Sequence, residues 1–232
     1  VDPADVEREV FRANVSESVH GMLVYYPIFG GTRDRSLQSS ENPDKDVEGL
    51  HPRWAQRLYH DERFVDPEQR KKAILPCTPL GIAKALIHLG AVKSGGDPRQ
   101  SAAGTTVTIF NRSEVVGRPL AAMLAHDGAK VYSFDIDGPM LYDGRKTFTT
   151  TIDRATALAE SDVVVSGVPS AKFERIRGDE IKAGAVCVNF SHFNNLADDV
   201  VDVASHVLPR VGPITVAMLL RNTVRLYTNA RT

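Results

Sequence analysis

Six short runs between Thr105 and Phe190 decide the fold: TTVTIF (105–110), GRPLAAMLAHDG (117–128), AKVYSFD (129–135), ATALAES (155–161), DVVVSG (162–167) and AVCVNF (185–190). Runs rich in Val and Ile alternate with helical stretches. Because the Val-rich runs are apolar on both sides, they predict a parallel sheet covered by helices on both faces. We therefore expect an α/β, Rossmann-like doubly wound sheet with its ligand crevice at the carboxyl ends of the strands.

The loop after the first run, NRSEVVGRP (111–119), contains the parts that a phosphate site needs. It lacks the G-x-G-x-x-G spacing of the common dinucleotide fingerprint. It does have a cation at Arg112, a small residue at Gly117 and a helix expected to begin near Pro119, where backbone N–H groups bind phosphate. The loop alone fits an ordinary strand-to-helix connection equally well.

Asp135 ends the third run, at about the spacing at which an acid binds the ribose 2′-hydroxyl of a dinucleotide. Two like charges about 4 Å apart repel by ~1 to ~4 kcal/mol, so this carboxylate disfavours the 2′-phosphate of NADP and predicts NAD. The alternative is a solvated acid in the DIDG turn. Two later runs end in SGVP (166–169) and VNFS (188–191). Gly167 there would let a flat ring approach and Asn189 could bind a carboxamide, although each alone is typical of a turn.

Outside these runs the pattern is less regular. Val6, Val10 and Phe11 indicate an amphipathic first helix. HGMLVYYP (20–27) is typical of a buried strand, and residues 30–53 are typical of a polar loop. TPLGIAKALIHLGA (78–91) and PITVAMLLRNTVRLY (213–227) predict helices, and KSGGDPRQSAAG (93–104) predicts a linker. Cys77 precedes a helix, whose N-terminus lowers a thiol pKa; a reactive thiol and a buried structural cysteine are both open.

Composition excludes several classes of protein. Of the 232 residues, 42% are hydrophobic and 25% charged, with a net charge of -1. These are globular proportions, and they give no broad basic surface for nucleic acid. Two cysteines and no H-E-x-x-H spacing predict no disulfide framework and no metal site. No apolar run approaches the ~20 residues of a membrane helix. The chain opens on Val1 inside a predicted helix, so we expect a further N-terminal segment.

Five ordered blocks resemble the methylenetetrahydrofolate dehydrogenase/cyclohydrolase family, and most closely its fungal-type monofunctional NAD-dependent branch: VHGMLVYYP (19–27), KDVEGLHP (45–52), LPCTPLGI (75–82), NRSEVVGRPLAAMLA (111–125) and VGPITVAMLLRNTV (211–224). The resemblance implies oxidation of 5,10-methylenetetrahydrofolate to the methenyl form with hydride transfer to NAD. It further implies a cytoplasmic homodimer in one-carbon metabolism and purine biosynthesis, with no nucleic-acid or membrane partner.

The same resemblance implies a domain organisation. Residues 1–90 would form a substrate domain that lacks its beginning, residues 91–208 an NAD-binding Rossmann domain, and residues 209–232 a C-terminal helix that completes the substrate domain. The folate would lie between the two domains.

The resemblance also implies site residues. Cys77 stands where the NAD-dependent members have a cysteine proposed to be catalytic. The folate site would be lined by Val24, Tyr25, Tyr26, Glu48, Leu208, Pro209, Arg210, Val211 and Gly212. The adenosine half of NAD would be held by Arg112, Ser113, Asp135 and Ile136, and its nicotinamide half by Gly167, Val168, Pro169, Asn189, Phe190 and Ser191.

Some residues depart from the family pattern. Bifunctional members carry Gln in place of Tyr25 and Asp in place of Glu48, which predicts dehydrogenase activity without cyclohydrolase activity. The usual P-G-G-V-G is LPRVG (208–212), with fewer glycines. The family's Y-x-x-x-K helix is not found before VHG, and Tyr142 and Lys146 match its letters only by coincidence, in a predicted loop.

Two alternatives stay open. One is a related two-domain dehydrogenase for another small substrate. The other is a catalytically silent NAD-binding or dimerisation fragment.

Overall fold

The computed structural model describes residues 2–68, 70–93 and 96–231, and the chain divides into two compact units. The terminal unit comprises Val1–Cys77 and Val216–Thr232, and the sheet unit comprises Thr78–Thr215. This division follows internal packing, and the sequence-based domains 1–90, 91–208 and 209–232 stay a prediction. Within the predicted linker, Pro98–Gln100 forms a single 3-10 turn, while Ser94 and Gly95 lie outside the described residues.

A seven-stranded sheet forms the centre of the sheet unit, with the order β4-β3-β2-β1-β5-β6-β7. Five strands are parallel and two, β3 and β4, are antiparallel. The strands are β1 (Thr106–Phe110), β2 (Lys130–Asp135), β3 (Gly138–Asp143), β4 (Lys146–Thr149), β5 (Val163–Ser166), β6 (Val186–Asn189) and β7 (His206–Leu208).

Both faces of this sheet are buried, because successive strand residues enter different apolar clusters. Val163 and Val165 pack in the cluster that contains Leu120, whereas Val164 packs in the cluster that contains Leu158. The covering helices are α4 (Cys77–His88), α5 (Gly117–His126) and α6 (Arg154–Glu160). The predicted α/β doubly wound sheet is therefore confirmed.

The β3–β4 hairpin corrects one prediction. Tyr142 lies within β3 and Lys146 begins β4, so this segment is not a loop. The two strands are joined by the two-residue turn Gly144-Arg145, because Asp143 pairs with Lys146, and the φ of 55° at Gly144 suits a tight hairpin with glycine at its first turn position. The glycine at position 144 was the sequence signal for this hairpin.

The terminal unit is helical, and most of the prediction for its first part is wrong. Helix α2 (Gly31–Ser40) lies inside the predicted polar loop, and α3 (Pro52–Tyr59) follows it. The buried Asp34 holds the beginning of α2 by accepting N–H bonds from residues 28–30. Residues 20–27 form no strand, because Met22 makes only an isolated bridge, to Asp46.

The first and last helices are confirmed as α1 (Pro3–Val15) and α7 (Gly212–Asn229). Helix α7 begins in the sheet unit and continues into the terminal unit. There Leu226 packs with Val47, Trp54, Ala73 and Ile74. Over the described ranges, the helices fall short of the length and apolarity that a membrane crossing requires.

Candidate active site

The predicted site residues fall in both units, and each group has its own geometry. The terminal unit carries Val24, Tyr25, Tyr26, Glu48 and Cys77. The ring of Tyr25 is 82% exposed, whereas Val24 is half-buried. A flat aromatic ring open to solvent is suited to pack against a planar ligand.

The loop KDVEG is built around Asp46. The carboxylate of Asp46 is buried and accepts the N–H groups of Glu48, Gly49 and His51 at 3.0, 2.9 and 2.8 Å. Lys45 points elsewhere: its Nζ donates to carbonyls of residues 13, 14 and 16 at the end of α1. The loop conformation therefore depends on Asp46 and Lys45. The side chain of Glu48 takes no part in these bonds and is half-buried.

A second acid lies in this region and escaped the sequence analysis. Glu41 is buried, and its Oε1 accepts a hydrogen bond from the Tyr26 hydroxyl at 2.6 Å. Burial raises the pKa of Glu41 to about 7, with a further rise from Asp46 that the bond from Tyr26 opposes. Burial also raises the pKa of Glu48 to about 7, helped by the charges of Asp46 and Glu41. Both acids are thus poised to change charge near neutral pH.

Cys77 is a buried, neutral thiol. Burial raises its pKa to about 12, and the charge of Glu48 adds to the rise. The expected lowering at a helix N-terminus is therefore outweighed. The Sγ atom donates to the carbonyl of Val47 at 3.2 Å and accepts from the amide of Asn222 at 3.3 Å. The catalytic assignment of Cys77 stays a prediction, and its geometry favours a hydrogen-bonding thiol over a thiolate.

Asn222 joins three segments of the terminal unit and was also missed. Its Nδ2 donates to the carbonyls of Val47 and Leu75, both at 3.0 Å, as well as to Cys77. The side chain is fully buried, and no donor among the described residues reaches its Oδ1. This one amide therefore fixes the KDVEG loop against the segment that carries Cys77.

In the sheet unit, Arg112, Asp135 and Ile136 come together at the carboxyl ends of β1 and β2. The Asp135 carboxylate accepts the backbone N–H of Arg112 at 2.5 Å and that of Ile136 at 2.7 Å. The Arg112 guanidinium donates to the carbonyls of Ser133 and Gly138. Ile136 is 97% exposed. An exposed acid with a fixed orientation beside an exposed apolar side chain can bind a ribose and the ring attached to it.

Ser113 accepts N–H groups at the beginning of helix α5, whose N-cap residue is Val116. Its Oγ accepts the N–H groups of Val116 and Gly117 at 3.2 and 3.4 Å, and its carbonyl accepts the N–H of Arg118 at 3.0 Å. The first N–H groups of this turn are thus satisfied within the loop. The helix begins at Gly117, slightly earlier than predicted. A glycine is needed at this position, because a Cβ would lie 1.7 Å from the Asn111 carbonyl oxygen.

The glycine after β5 lies directly against the ring of Phe190, and its cofactor role stays a prediction. A Cβ on Gly167 would lie 1.9 Å from the ring of Phe190. Next to it, Asn195 accepts the N–H of Val168 at 2.8 Å and donates to its carbonyl at 3.1 Å. Asn195 therefore holds the SGVP turn, and the following Pro169 is exposed.

Asn189 ties the end of β6 to the segment before α7. Its Nδ2 donates to the carbonyls of Ser191, Phe193 and Pro209 at 3.1, 3.1 and 3.4 Å. Its Oδ1 is buried and meets no donor in the described part of the chain. Of the segment 208–212, Val211 is buried in the core while Pro209, Arg210 and Gly212 are exposed.

These residues fit a dinucleotide. Asp135 is an exposed acceptor of the kind that ribose hydroxyls need, and the Oδ1 of Asn189 is a buried acceptor without a donor in the described part of the chain. Within the described ranges, three or more His, Cys, Asp or Glu side chains nowhere gather in a metal-binding group.

Comparison with known proteins gives consistent matches. Residues 76–231 match the family described as tetrahydrofolate dehydrogenase/cyclohydrolase, NAD(P)-binding domain. The chain is 42% identical to methylenetetrahydrofolate dehydrogenase (NAD(+)) of Dictyostelium discoideum, over 99% of this chain and 75% of that protein. It is also 42% identical to the enzyme of that name from Schizosaccharomyces pombe, over 96% and 72% of the respective chains.

A solved structure is similar over the same extent. The NAD-dependent 5,10-methylenetetrahydrofolate dehydrogenase from Saccharomyces cerevisiae superposes with a TM-score of 0.90 at 40% identity. The match covers 99% of this chain and 76% of that one.

Proposed function

We propose a reaction for this chain, which belongs to the tetrahydrofolate dehydrogenase/cyclohydrolase family: it oxidises 5,10-methylenetetrahydrofolate to 5,10-methenyltetrahydrofolate with NAD as the cofactor. The observation that carries the proposal is the exposed Asp135 carboxylate, fixed by two backbone N–H bonds at the carboxyl end of β2. Such a carboxylate accepts hydrogen bonds from free ribose hydroxyls, and it repels the phosphate that replaces the 2′-hydroxyl in NADP.

NAD, when bound, accepts the hydride from the methylene carbon of the folate. The residues of the chain have the task of orienting the reactants and excluding water. Asp135 and Ile136 would hold the adenosine half, and Asn189 would shape the nicotinamide half by holding the segments of Ser191, Phe193 and Pro209 together. The remaining predicted cofactor residues, Arg112, Ser113, Gly167, Val168, Pro169, Phe190 and Ser191, would shape this site through the loop contacts described above.

On the folate side, the exposed ring of Tyr25 would pack against the planar pterin, and Glu48 would bind its polar edge. With its pKa raised to about 7, Glu48 carries a proton on part of the molecules at neutral pH and can then donate as well as accept. Val24, Tyr26 and residues 208–212 complete this proposed set.

We further propose that the chain lacks cyclohydrolase activity, because Tyr25 replaces the glutamine of bifunctional members. A tyrosine ring offers no side-chain amide to support that step. The homodimer, the cytoplasmic location and the place in purine biosynthesis rest on the family resemblance alone.

The decisive experiment follows NADH formation when the protein is mixed with NAD and 5,10-methylenetetrahydrofolate. We expect NADH to form only when both are present. When NADP replaces NAD, we expect NADPH to form more slowly than NADH. A rate of NADH formation no higher than in a protein-free control would contradict the proposal. NAD binding without turnover would favour a silent nucleotide-binding module. Turnover with another substrate, together with no thermal stabilisation by a folate analogue, would favour a related dehydrogenase.

The absence of cyclohydrolase activity needs its own assay. Methenyltetrahydrofolate is added without NAD, and its hydrolysis is compared with the spontaneous rate in buffer. We expect no acceleration by the protein. A protein-dependent hydrolysis rate would refute this part of the proposal.

A further inference from the structure

The side chain of Arg112 is turned away from the exposed carboxylate that its own backbone binds. Its Nη2 donates to the carbonyl of Ser133 at 2.7 Å and to the carbonyl of Gly138, and its Nε donates to the Ser133 hydroxyl at 3.3 Å. Ser133 is fully buried in β2, and Gly138 begins β3. The guanidinium is thus fastened to the β2–β3 connection by three bonds to uncharged acceptors.

These bonds also fix the residue that faces the ribose. The Arg112 N–H holds one oxygen of Asp135, and the Arg112 side chain holds the two ends of the turn that contains Asp135. The carboxylate is therefore constrained both directly and through its turn. None of the side-chain bonds involves Asp135, so the guanidinium stays fastened when that acid is replaced.

An arginine near this position accommodates the 2′-phosphate in enzymes that use NADP. Three N–H contacts of the guanidinium go to the Ser133 carbonyl, the Ser133 hydroxyl and the Gly138 carbonyl, which leaves a phosphate the N–H groups on Nη1, and moving the side chain would break these three bonds. Arg112 lies beside Asp135, but its side-chain Nε and Nη2 bind Ser133 and Gly138 instead of facing the proposed ribose site.

We propose that Arg112 is a positioning and specificity residue, which acts on the cofactor only through Asp135 and leaves a 2′-phosphate without a cationic partner. The inference rests on the proposed function because it assigns the adenosine ribose to Asp135. Selectivity for NAD then has two sources: repulsion by the Asp135 carboxylate and the fastened Arg112 guanidinium.

The test is a double-variant cycle measured by calorimetric titration with NAD and with NADP, in the absence of folate. The proteins are wild type, Arg112→Gln, Asp135→Ser and the double variant. Arg145→Gln, at the exposed turn after β3, controls for the loss of one positive charge. We expect Arg112→Gln to weaken NAD binding about tenfold, because the side-chain bonds that hold the β2–β3 connection beside Asp135 are lost, although both backbone N–H bonds to the carboxylate remain. In the Asp135→Ser background the same change should alter NAD binding by less than about twofold.

NADP supplies the second arm. Asp135→Ser should strengthen NADP binding, and the double variant should retain that gain, since Arg112 does not contact the phosphate. Two results would overturn the proposal. In the first, the double variant binds NAD more weakly by the product of the two single-variant factors. In the second, replacing Arg112 removes the gain in NADP affinity that Asp135→Ser produces.

Two further measurements keep the test independent of folding and of turnover. If Arg112→Gln does not fold, Ser133→Ala removes one acceptor of the fastened guanidinium and enters the same cycle with Asp135→Ser. In the free wild-type protein, the Nε–H resonance of Arg112 should be visible by NMR and slow to exchange; fast exchange would contradict the fastened state. Intact NAD binding without NADH formation would refute the proposed reaction and leave this cycle interpretable.

Discussion

Two effects of opposite sign act on the thiol of Cys77. The beginning of α4 favours the thiolate, whereas burial and the charge of Glu48 disfavour it. With 5% of the residue exposed, burial dominates and the pKa rises to about 12. The thiol is protonated at neutral pH and serves as a link between Val47 and Asn222.

Cys77→Ser should therefore retain kcat/KM within about threefold, because a hydroxyl makes the same two hydrogen bonds. Cys77→Ala should lose about 1–3 kcal/mol of stability, because buried partners are left unpaired. Steady-state kinetics and urea unfolding measure the two effects. A loss of about a hundredfold in the serine variant would instead show that a thiolate takes part in the reaction.

Glu41 gives the terminal unit a pH dependence. A carboxyl whose pKa is higher in the folded than in the unfolded chain binds protons more tightly when folded. Its contribution to stability falls as the pH rises from about 4.5 to about 7, and the cost persists above that range. Glu41→Gln keeps an acceptor for Tyr26 and removes the charge. The free energy of unfolding should therefore rise, relative to wild type, more at pH about 8 than at pH about 5.

The exposed Glu17→Gln serves as the control for this measurement. An equal effect of Glu41→Gln at both pH values would contradict the assigned burial. The same variant should lower the pKa that Glu48 contributes to the pH profile of kcat/KM, because a like charge is removed.

Among the elements, α5 can begin next to the Asn111 loop because its first residue, Gly117, has no side chain. At Gly117 a Cβ would meet the Asn111 carbonyl oxygen at 1.7 Å. Asn111 has a positive φ of 105°, and its amide donates to the carbonyl of Gly167 at 2.7 Å, so it cannot move freely. Gly117 thus packs against Asn111, which joins the turn after β1 to the turn after β5.

Gly117→Ala should cost about 1–3 kcal/mol of stability and weaken NAD binding at least about tenfold, because the Asn111 loop must move. Gly212→Ala is the matched control for stability, since no atom lies within 4 Å of its added Cβ at the beginning of α7. It should be neutral or slightly stabilising. Thermal unfolding and NAD titration measure these effects, and equal stability losses in the two variants would refute the steric explanation.

The elements that could be predicted are those whose own residues carry the signal. TTVTIF and DVVVSG form β1 and β5 because β-branched residues buried on both faces leave few alternatives. Helix α2, GTRDRSLQSS, has almost no apolar periodicity, so nothing local indicates it. HGMLVYYP is apolar enough for a strand, but a strand also needs a partner, and only Met22 finds one there.

The site shows the same limit. The position of Asp135 beside the NRSEVVGRP loop was predictable, because its spacing from the loop reflects one strand-helix-strand unit; its role in binding the cofactor stays a prediction. Asn222 and Val47 lie 175 residues apart in the sequence, and no local pattern joins them. Glu41 and Asn195 likewise gain their roles from folding, which brings Tyr26 and the SGVP turn to them.

For the whole molecule, the two units predict a spatially confined response to one substitution. Asn222→Ala removes three hydrogen bonds within the terminal unit and should cost about 1–3 kcal/mol there. Hydrogen exchange should become faster at the amides of Val47 and Cys77. Exchange should be unchanged in β1, β5 and β6 of the sheet unit.

Asn229→Ala is the matched control, on the same helix and with a single bond, to the carbonyl of Lys72 at 3.2 Å. Its cost should stay below about 1 kcal/mol. Uniformly faster exchange in both units after Asn222→Ala would show that they unfold as one.

The terminal unit is assembled from two separated stretches of chain, and this sets an order of events during translation. The sheet unit is contiguous and can fold once the residues up to Thr215 have left the ribosome. The first 77 residues must wait for Asn222 and Leu226, and Trp54 and Ile74 lack part of their packing until then. A nonsense mutation shortly after the codon for Thr215 should therefore leave a folded sheet unit attached to unfolded, chaperone-dependent residues 1–77.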